Sequence, residues 1–257
     1  MSILKRFTIT ACAMLIGAAS FTLHAEDLDK VKQTGTLTFA MSGKYPPFNF
    51  IDESGKLQGF DVDIGDRISA KLGAKAVPVT TAWDGIVGGL LAGKYDAIIG
   101  SLAMTEERKK AVDFTQSYYR SGAQLFVPRG SSVQSISQLN GKTVGVTLGE
   151  TYEAWLRQNM PGVQVKTYKG LPDVLIDLRN HRIEGFVTDR IAGILTIRDK
   201  QIDAKPVGPL LYPELMAIAV RKDSPKLRDA INGALDSLYK DGEYSSISKR
   251  WLGEDVR

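Results

Sequence analysis

The arginine of Thr105-Glu106-Glu107-Arg108 offers a guanidinium, the one side chain that grips both oxygens of a carboxylate in a fork. Arg108 can equally be a surface helix residue paired with Glu106. Asp189 stands just past the strand-like segment Ile183 to Val187, where a carboxylate can accept from an ammonium. It can also cap the helix expected from Arg190 onward. Ser101 and Thr151 add hydroxyls, and Thr151 lies at an expected helix N-terminus, whose free N–H groups favour an anion. Glu150 precedes it. Tyr45, Trp83 and Tyr152 are candidate flat walls that exclude water and attract cations at their faces, whereas Phe48 and Phe60 are assigned to core packing. An anion grip, a cation grip and aromatic walls suit a small zwitterion. They supply little of what a hydrolase or transferase needs, so neither a catalytic set nor a cofactor is expected. Asp61 and Asp63 read as a helix start, and His181, in the polar turn Arg179-Asn180-His181-Arg182, is not a credible metal ligand.

Strand-like and helix-like segments alternate around these residues. Leu37 to Met41, Ala76 to Val79, Ala97 to Gly100, Gln124 to Val127, Thr143 to Val146, Val163 to Thr167, Ile183 to Val187 and Met216 to Val220 read as strands. Ile64, Ile68 and Leu72 share one helix face that Gly73 stops, and Leu227, Ile231, Leu235 and Leu238 line another. Helices are also expected over Trp83 to Ala92, from Thr105 as N-cap, over Thr151 to Asn159, and from Asp189 to about Ile197. Repeated βα units imply an α/β fold with largely parallel sheets. Ligands of such sheets lie beyond the carboxyl ends of the strands. Ser101-Leu102-Ala103-Met104, Thr147-Leu148-Gly149-Glu150-Thr151 and Thr188-Asp189 all occupy that position.

Lys5 and Arg6 followed by the uncharged, mostly apolar stretch Phe7 to Phe21, with Ala25 before Glu26, read as a secretory signal peptide over residues 1–25. The apolar run is short of the roughly 20 residues that a membrane span takes. Removing it discards Cys12, the single cysteine, and leaves neither a disulfide nor a thiolate metal site. It also takes Lys5 and Arg6 but no acid, so the net charge falls from +4 to +2. So small a charge, with the basic residues scattered among acids, gives no case for nucleic acid.

The run Tyr45-Pro46-Pro47-Phe48, then Gly59-Phe60-Asp61-Val62-Asp63, Trp83-Asp84-Gly85 and Met104-Thr105-Glu106-Glu107-Arg108, taken in that order, resembles the polar amino-acid-binding proteins of bacterial ABC importers, solute-binding protein family 3. Tyr152 to Asn159, with Asp177-Leu178-Arg179 and Asp189-Arg190, is most similar to the cystine-type binders. The resemblance implies two lobes of mostly parallel sheet flanked by helices and joined by two crossings, at Tyr118 to Gly122 and Leu210 to Leu215. Residues 26–120 and 214–257 would form one lobe and 121–213 the other. It implies a ligand site of Tyr45, Trp83, Ser101, Leu102, Ala103, Arg108, Leu148, Glu150, Thr151 and Asp189, with Arg108 on the ligand carboxylate and Asp189 on its ammonium. Departures from the family pattern are Ala103 for a second hydroxyl residue, Glu150 for a small hydroxyl residue, and Ser42 where binders of basic amino acids tend to carry an aspartate.

The function so implied is a periplasmic, monomeric receptor that captures a polar L-amino acid, with cystine one option, and delivers it to an inner-membrane ABC permease. The alternatives are an enzyme on the same scaffold, similar to cyclohexadienyl dehydratase with Glu150 as general acid, and a sensory ligand-binding module.

Overall fold

The computed structural model describes residues 27–257. The signal peptide and Cys12 lie outside the described residues. Helix α1 (Asp27–Thr34) leads into β1 (Thr36–Met41), and a small antiparallel sheet follows, formed by β2 (Lys44–Tyr45), β3 (Asn49–Ile51) and β4 (Leu57–Gln58). Next come α2 (Phe60–Lys71), β5 (Lys75–Thr80), a 3-10 turn at Trp83–Gly85, α3 (Ile86–Leu91), β6 (Ala97–Ile98) and α4 (Glu106–Ala111). The long strand β7 (Val112–Pro128) passes into β8 (Thr143–Thr147), α5 (Thr151–Asn159), β9 (Gln164–Tyr168), α6 (Leu171–Arg179), β10 (Gly185–Asp189) and α7 (Arg190–Asp199). The chain returns along β11 (Ala204–Arg221) and ends in α8 (Pro225–Lys240) and α9 (Glu243–Leu252).

The main sheet has the order β5-β1-β6-β11-β7-β10-β8-β9. β5, β1 and β6 are mutually parallel, as are β10, β8 and β9. Between these groups β11 and β7 run antiparallel to each other and to their outer neighbours. The result is two βα groups of mostly parallel strands with helices against them, the α/β architecture that the alternation of elements predicts.

The apolar periodicity puts each helix on its sheet. Ile64 and Ile68 of α2 are fully buried with Leu37 and Phe39 of β1, and Leu227, Ile231, Leu235 and Leu238 of α8 belong to the same core. Each such aliphatic side chain contributes about 1.5–3 kcal/mol on burial. The approach of α2 to β1 is set by Gly65, where a Cβ would stand 2.4 Å from the Phe39 ring. A second core joins β8 and α5 through Val144, Val146, Tyr152 and Leu156. No helix among the described residues is long and apolar enough to cross a membrane.

Three expectations need correction. The segments Gln124 to Val127 and Met216 to Val220 are the ends of much longer strands. β11 runs through Pro206, Gly208, Pro209 and Pro213, which break a strand signal in the sequence; the ladder absorbs them in a register shift between Val207 and Tyr212. Ala97 to Gly100 is regular strand only over Ala97–Ile98, because Gly100 and Ser101 already turn toward the cleft, Ser101 at φ 60°. Finally, Asp61 does not cap α2. Gly59 takes the cap position, and Asp61 is buried with its carboxylate accepting from Asn49 Nδ2 (2.7 Å), Ser101 Oγ (2.9 Å) and Tyr118 OH (2.6 Å). Burial pushes its pKa up to about 6 against those three hydrogen bonds.

Candidate functional site

A pocket lies where the two groups of strands face each other. From the first group it is lined by Tyr45, Trp83, Ser101, Ala103 and Arg108, and from the second by Thr147, Glu150, Thr151 and Tyr152. Glu214 and Met216 of β11 close it between them.

Arg108 is held by the local fold. Thr105 caps α4, its hydroxyl accepting from Arg108 N at 3.1 Å, and the turn aims the side chain into the cleft. There Nη1 donates to Ala103 O at 2.9 Å and Nη2 to Gly149 O at 3.3 Å. The guanidinium carbon lies 6.0 Å from the centre of the Trp83 ring, the outer limit of cation–π attraction. Two of the five N–H groups are thus committed, and three remain. Burial lowers the arginine pKa, while Glu214 and Glu150 work to raise it.

The aromatic wall is continuous with the core. Tyr45 stacks on Phe48 with centroids 5.5 Å apart, and Phe48 stacks on Tyr119 at 4.9 Å. Phe48 and Phe60 are fully buried, in keeping with their assignment to core packing. Tyr152, at the first turn of α5, lines the cavity and is buried.

Ser101 lines the cavity, but its hydroxyl hydrogen is spent on Asp61, and its N–H donates to Tyr118 OH at 2.8 Å. It therefore offers a ligand an acceptor rather than a donor. Ala103 contributes no polar side chain, and its carbonyl holds Arg108.

Three expected site residues are not among those lining the cavity. Leu102 is fully buried beside Ala40, Ile86 and Leu90. Leu148 is 40% exposed and faces a neighbouring depression with Thr80 and Asp84. Asp189 is completely buried behind the wall, where Oδ1 caps α7 by accepting from Ala192 N at 3.0 Å. Its other oxygen has no hydrogen-bond partner among the described residues. Burial pushes its pKa up to about 6, and its charge acts on Tyr45, Glu150 and Glu214.

The residue that sequence reasoning missed is Glu214. It is 8% exposed and accepts from Thr151 Oγ1 at 2.6 Å, and its second oxygen is unpartnered among the described residues. Burial raises its pKa to about 6. Glu150, at the cap position of α5, also has an unpartnered buried oxygen. Its pKa is pushed to about 8, first by burial and then by Glu214, against the pull of Arg108. The sequence signal for Glu214 was an acid between Pro213 and the apolar end of β11, which marks an inward-facing charge only once the strand is known to cross the cleft.

A sheet of two parallel groups with one charged cavity between them is the arrangement of a solute-binding protein. Residues 37–254 match the bacterial extracellular solute-binding proteins, family 3, and the chain belongs to that family. It is 36% identical over 251 residues to the L-cystine-binding protein TcyJ of Escherichia coli (strain K12), covering 96% of this chain and 94% of the relative. Among solved structures, an ancestral arginine-binding protein bound to arginine aligns with a TM-score of 0.82 at 38% identity, covering 85% of this chain and 99% of that one. An ABC uptake transporter substrate-binding protein from Streptococcus pneumoniae with bound histidine aligns with a TM-score of 0.87 at 28% identity, covering 90% and 98%.

Proposed function

We propose that this protein is the solute-capturing subunit of an ABC-type amino-acid importer. It works as a periplasmic monomer that takes a polar L-amino acid into the cavity and presents it to an inner-membrane permease. The observation that carries this reading is the guanidinium of Arg108 in a pocket that is otherwise lined or backed by acidic side chains. Such a cavity matches the charges of a free amino acid. The three uncommitted N–H groups of Arg108 grip the ligand carboxylate, and Asp189 and the acceptor oxygen of Ser101 draw the ammonium. Tyr45 and Trp83 cover the ligand side chain.

Residues 26–120 with 214–257 form one lobe and 121–213 the other. Both lobes contribute to the cavity, so a ligand favours the closed arrangement by its differential affinity for it. Relatives that bind cystine, arginine and histidine support an amino acid as ligand class. Titration calorimetry of the mature chain against the amino acids tests the reading. One-to-one binding of an L-amino acid, lost in Arg108→Ala, is expected; failure of every amino acid to bind would overturn it.

A second reading has one observation in its favour. With its pKa near 8, Glu150 holds a proton at neutral pH, as a general acid in a dehydratase must. Against it stands Asp189, an anion suited to an ammonium that a cyclic acid such as prephenate lacks. Product formation from arogenate or prephenate would establish the enzyme.

A further inference from the structure

The cavity carries more negative charge than an ordinary amino acid can neutralise. Among the described residues Arg108 is the one cation held inside it, since Lys44 and Lys169 stand exposed at its rim and Lys44 faces Asp173 at 3.8 Å. Opposite Arg108 are three acidic side chains: Asp189 behind the wall, Glu214 at the lining, and Glu150 at the lining, which holds a proton at neutral pH in the empty cavity. A zwitterion brings no net charge, so with its carboxylate on Arg108 and its ammonium drawn toward Asp189 through the wall, Glu214 and Glu150 both remain without a cation.

The two glutamates come from different parts of the fold, Glu150 from the cap of α5 and Glu214 from β11, and Glu150 feels the charge of Glu214. Glu214 lines the cavity; Thr151 binds one of its oxygens, and the second is buried and has no partner among the described residues. The same is true of Glu150 Oε2. A buried carboxylate oxygen without a partner is costly, and two facing the same space call for a donor that carries positive charge.

On the reading of this protein as an amino-acid receptor, we propose that Glu150 and Glu214 form a second cation subsite, so that the natural ligand bears a second protonated nitrogen besides its α-ammonium. Two kinds of amino acid share that chemistry. In one the second nitrogen ends the side chain, as in lysine or ornithine. In the other it belongs to a second α-amino-acid unit, as in cystine, and brings another carboxylate that Lys44 or Lys169 at the rim would meet.

The test is titration calorimetry on the mature protein with L-lysine, L-ornithine, L-arginine and L-cystine against L-norleucine and L-citrulline, which match lysine and arginine in bulk but lack the second charge. At least one probe of the first set should bind about 30-fold or more tightly than either neutral probe, the loss expected when one member of a buried charge pair is removed. Glu214→Gln and Glu150→Gln, which keep shape and remove charge, should each shrink that ratio. Lysine against cystine then separates the two sources. Tight binding of the neutral probes, with the charged ones no better, overturns the second subsite and leaves the receptor reading intact. So does an equal loss for all probes in both variants, which a merely structural role predicts. Absence of binding by any amino acid overturns both. The comparison among probes uses the unsubstituted protein, so it stands even where a variant fails to fold.

Discussion

Arg108 Nη2 donates to the carbonyl of Gly149 at 3.3 Å, so the guanidinium joins the first group of strands to the loop that opens α5 in the second. Gly149 also packs closely against the facing surface. Its φ is +80°, and a Cβ there would lie 2.9 Å from the Asp84 backbone. On the proposed reading, the cation that grips the ligand carboxylate is thereby coupled to closure of the cleft.

Gly149→Ala should therefore impair closure more than folding. The left-handed conformation costs a non-glycine residue about 1–2 kcal/mol, visible as a modest fall in melting temperature. The contact with Asp84 acts only when the cleft is shut. Affinity measured by calorimetry should fall by about tenfold or more, the equivalent of about 1.4 kcal/mol. Unchanged affinity would mean that the cleft tolerates a methyl group at this contact.

Arg108→Ala should abolish measurable amino-acid binding. Truncating one partner of a buried charge pair costs about 2–5 kcal/mol, hence about 30-fold or more in affinity. Arg108→Lys should not restore it, because an ammonium cannot reproduce the planar fork that spans Ala103 O, Gly149 O and a carboxylate. Circular dichroism should report an intact fold in both variants. A variant that binds as tightly as the parent would remove Arg108 from the site.

Asp61 gives a stability prediction with a definite sign. Its native pKa, about 6, lies above the usual carboxylate value of 3.8. The native state therefore prefers the protonated form. The stability this contributes is present in full below about pH 4 and is lost as pH rises through 6. The shift corresponds to roughly 3 kcal/mol. Asp189, also raised to about 6, acts in the same direction. Urea unfolding of the unliganded protein between pH 4 and 7 should show declining stability, and Asp61→Asn should flatten the slope. An identical slope in the variant would remove Asp61 as a source.

Ligand binding should have its own pH dependence. Glu150 faces Arg108 of α4, Glu214 of β11 and Asp189 of β10, with the phenols of Tyr45 and Tyr152 beside it. Its pKa near 8 means that the empty cavity holds a proton at neutral pH. A ligand with a second protonated nitrogen would displace that proton, so its affinity should rise from pH 6 to pH 8 and level off above. Calorimetry in buffers of different ionisation heat should detect the released proton, and Glu150→Gln should eliminate it. A pH-independent affinity with no proton released would contradict the second cation subsite.

Much of this was legible in the residues themselves, where the signal is local. Thr105 as N-cap, the extent of α5 from Thr151 to Asn159, and Asp189 at the cap of α7 all follow from side chains that satisfy nearby backbone groups. Arg108 was singled out through the family resemblance, because its type and spacing alone fit a surface helix arginine. Glu214 and the role of Asp61 were not. Glu214 faces the cavity because a strand broken by prolines nevertheless pairs through the register shift between Val207 and Tyr212. Asp61 sits in a position that any helix start allows, and only the convergence of Asn49, Ser101 and Tyr118 from separate elements gives it work. Leu102 and Leu148 follow the right strands, yet one turns into a core and the other toward solvent. Such choices depend on neighbours distant in sequence.

β7 and β11 are shared property, and this bears on how the molecule is assembled. β6 and β7 each take β11 as a sheet neighbour, and β11 is the last strand in the chain. As the polypeptide emerges from the ribosome, both keep a bare edge until the C-terminal portion arrives to zip the sheet shut. A fragment that stops before β11 would leave both of those edges without a partner.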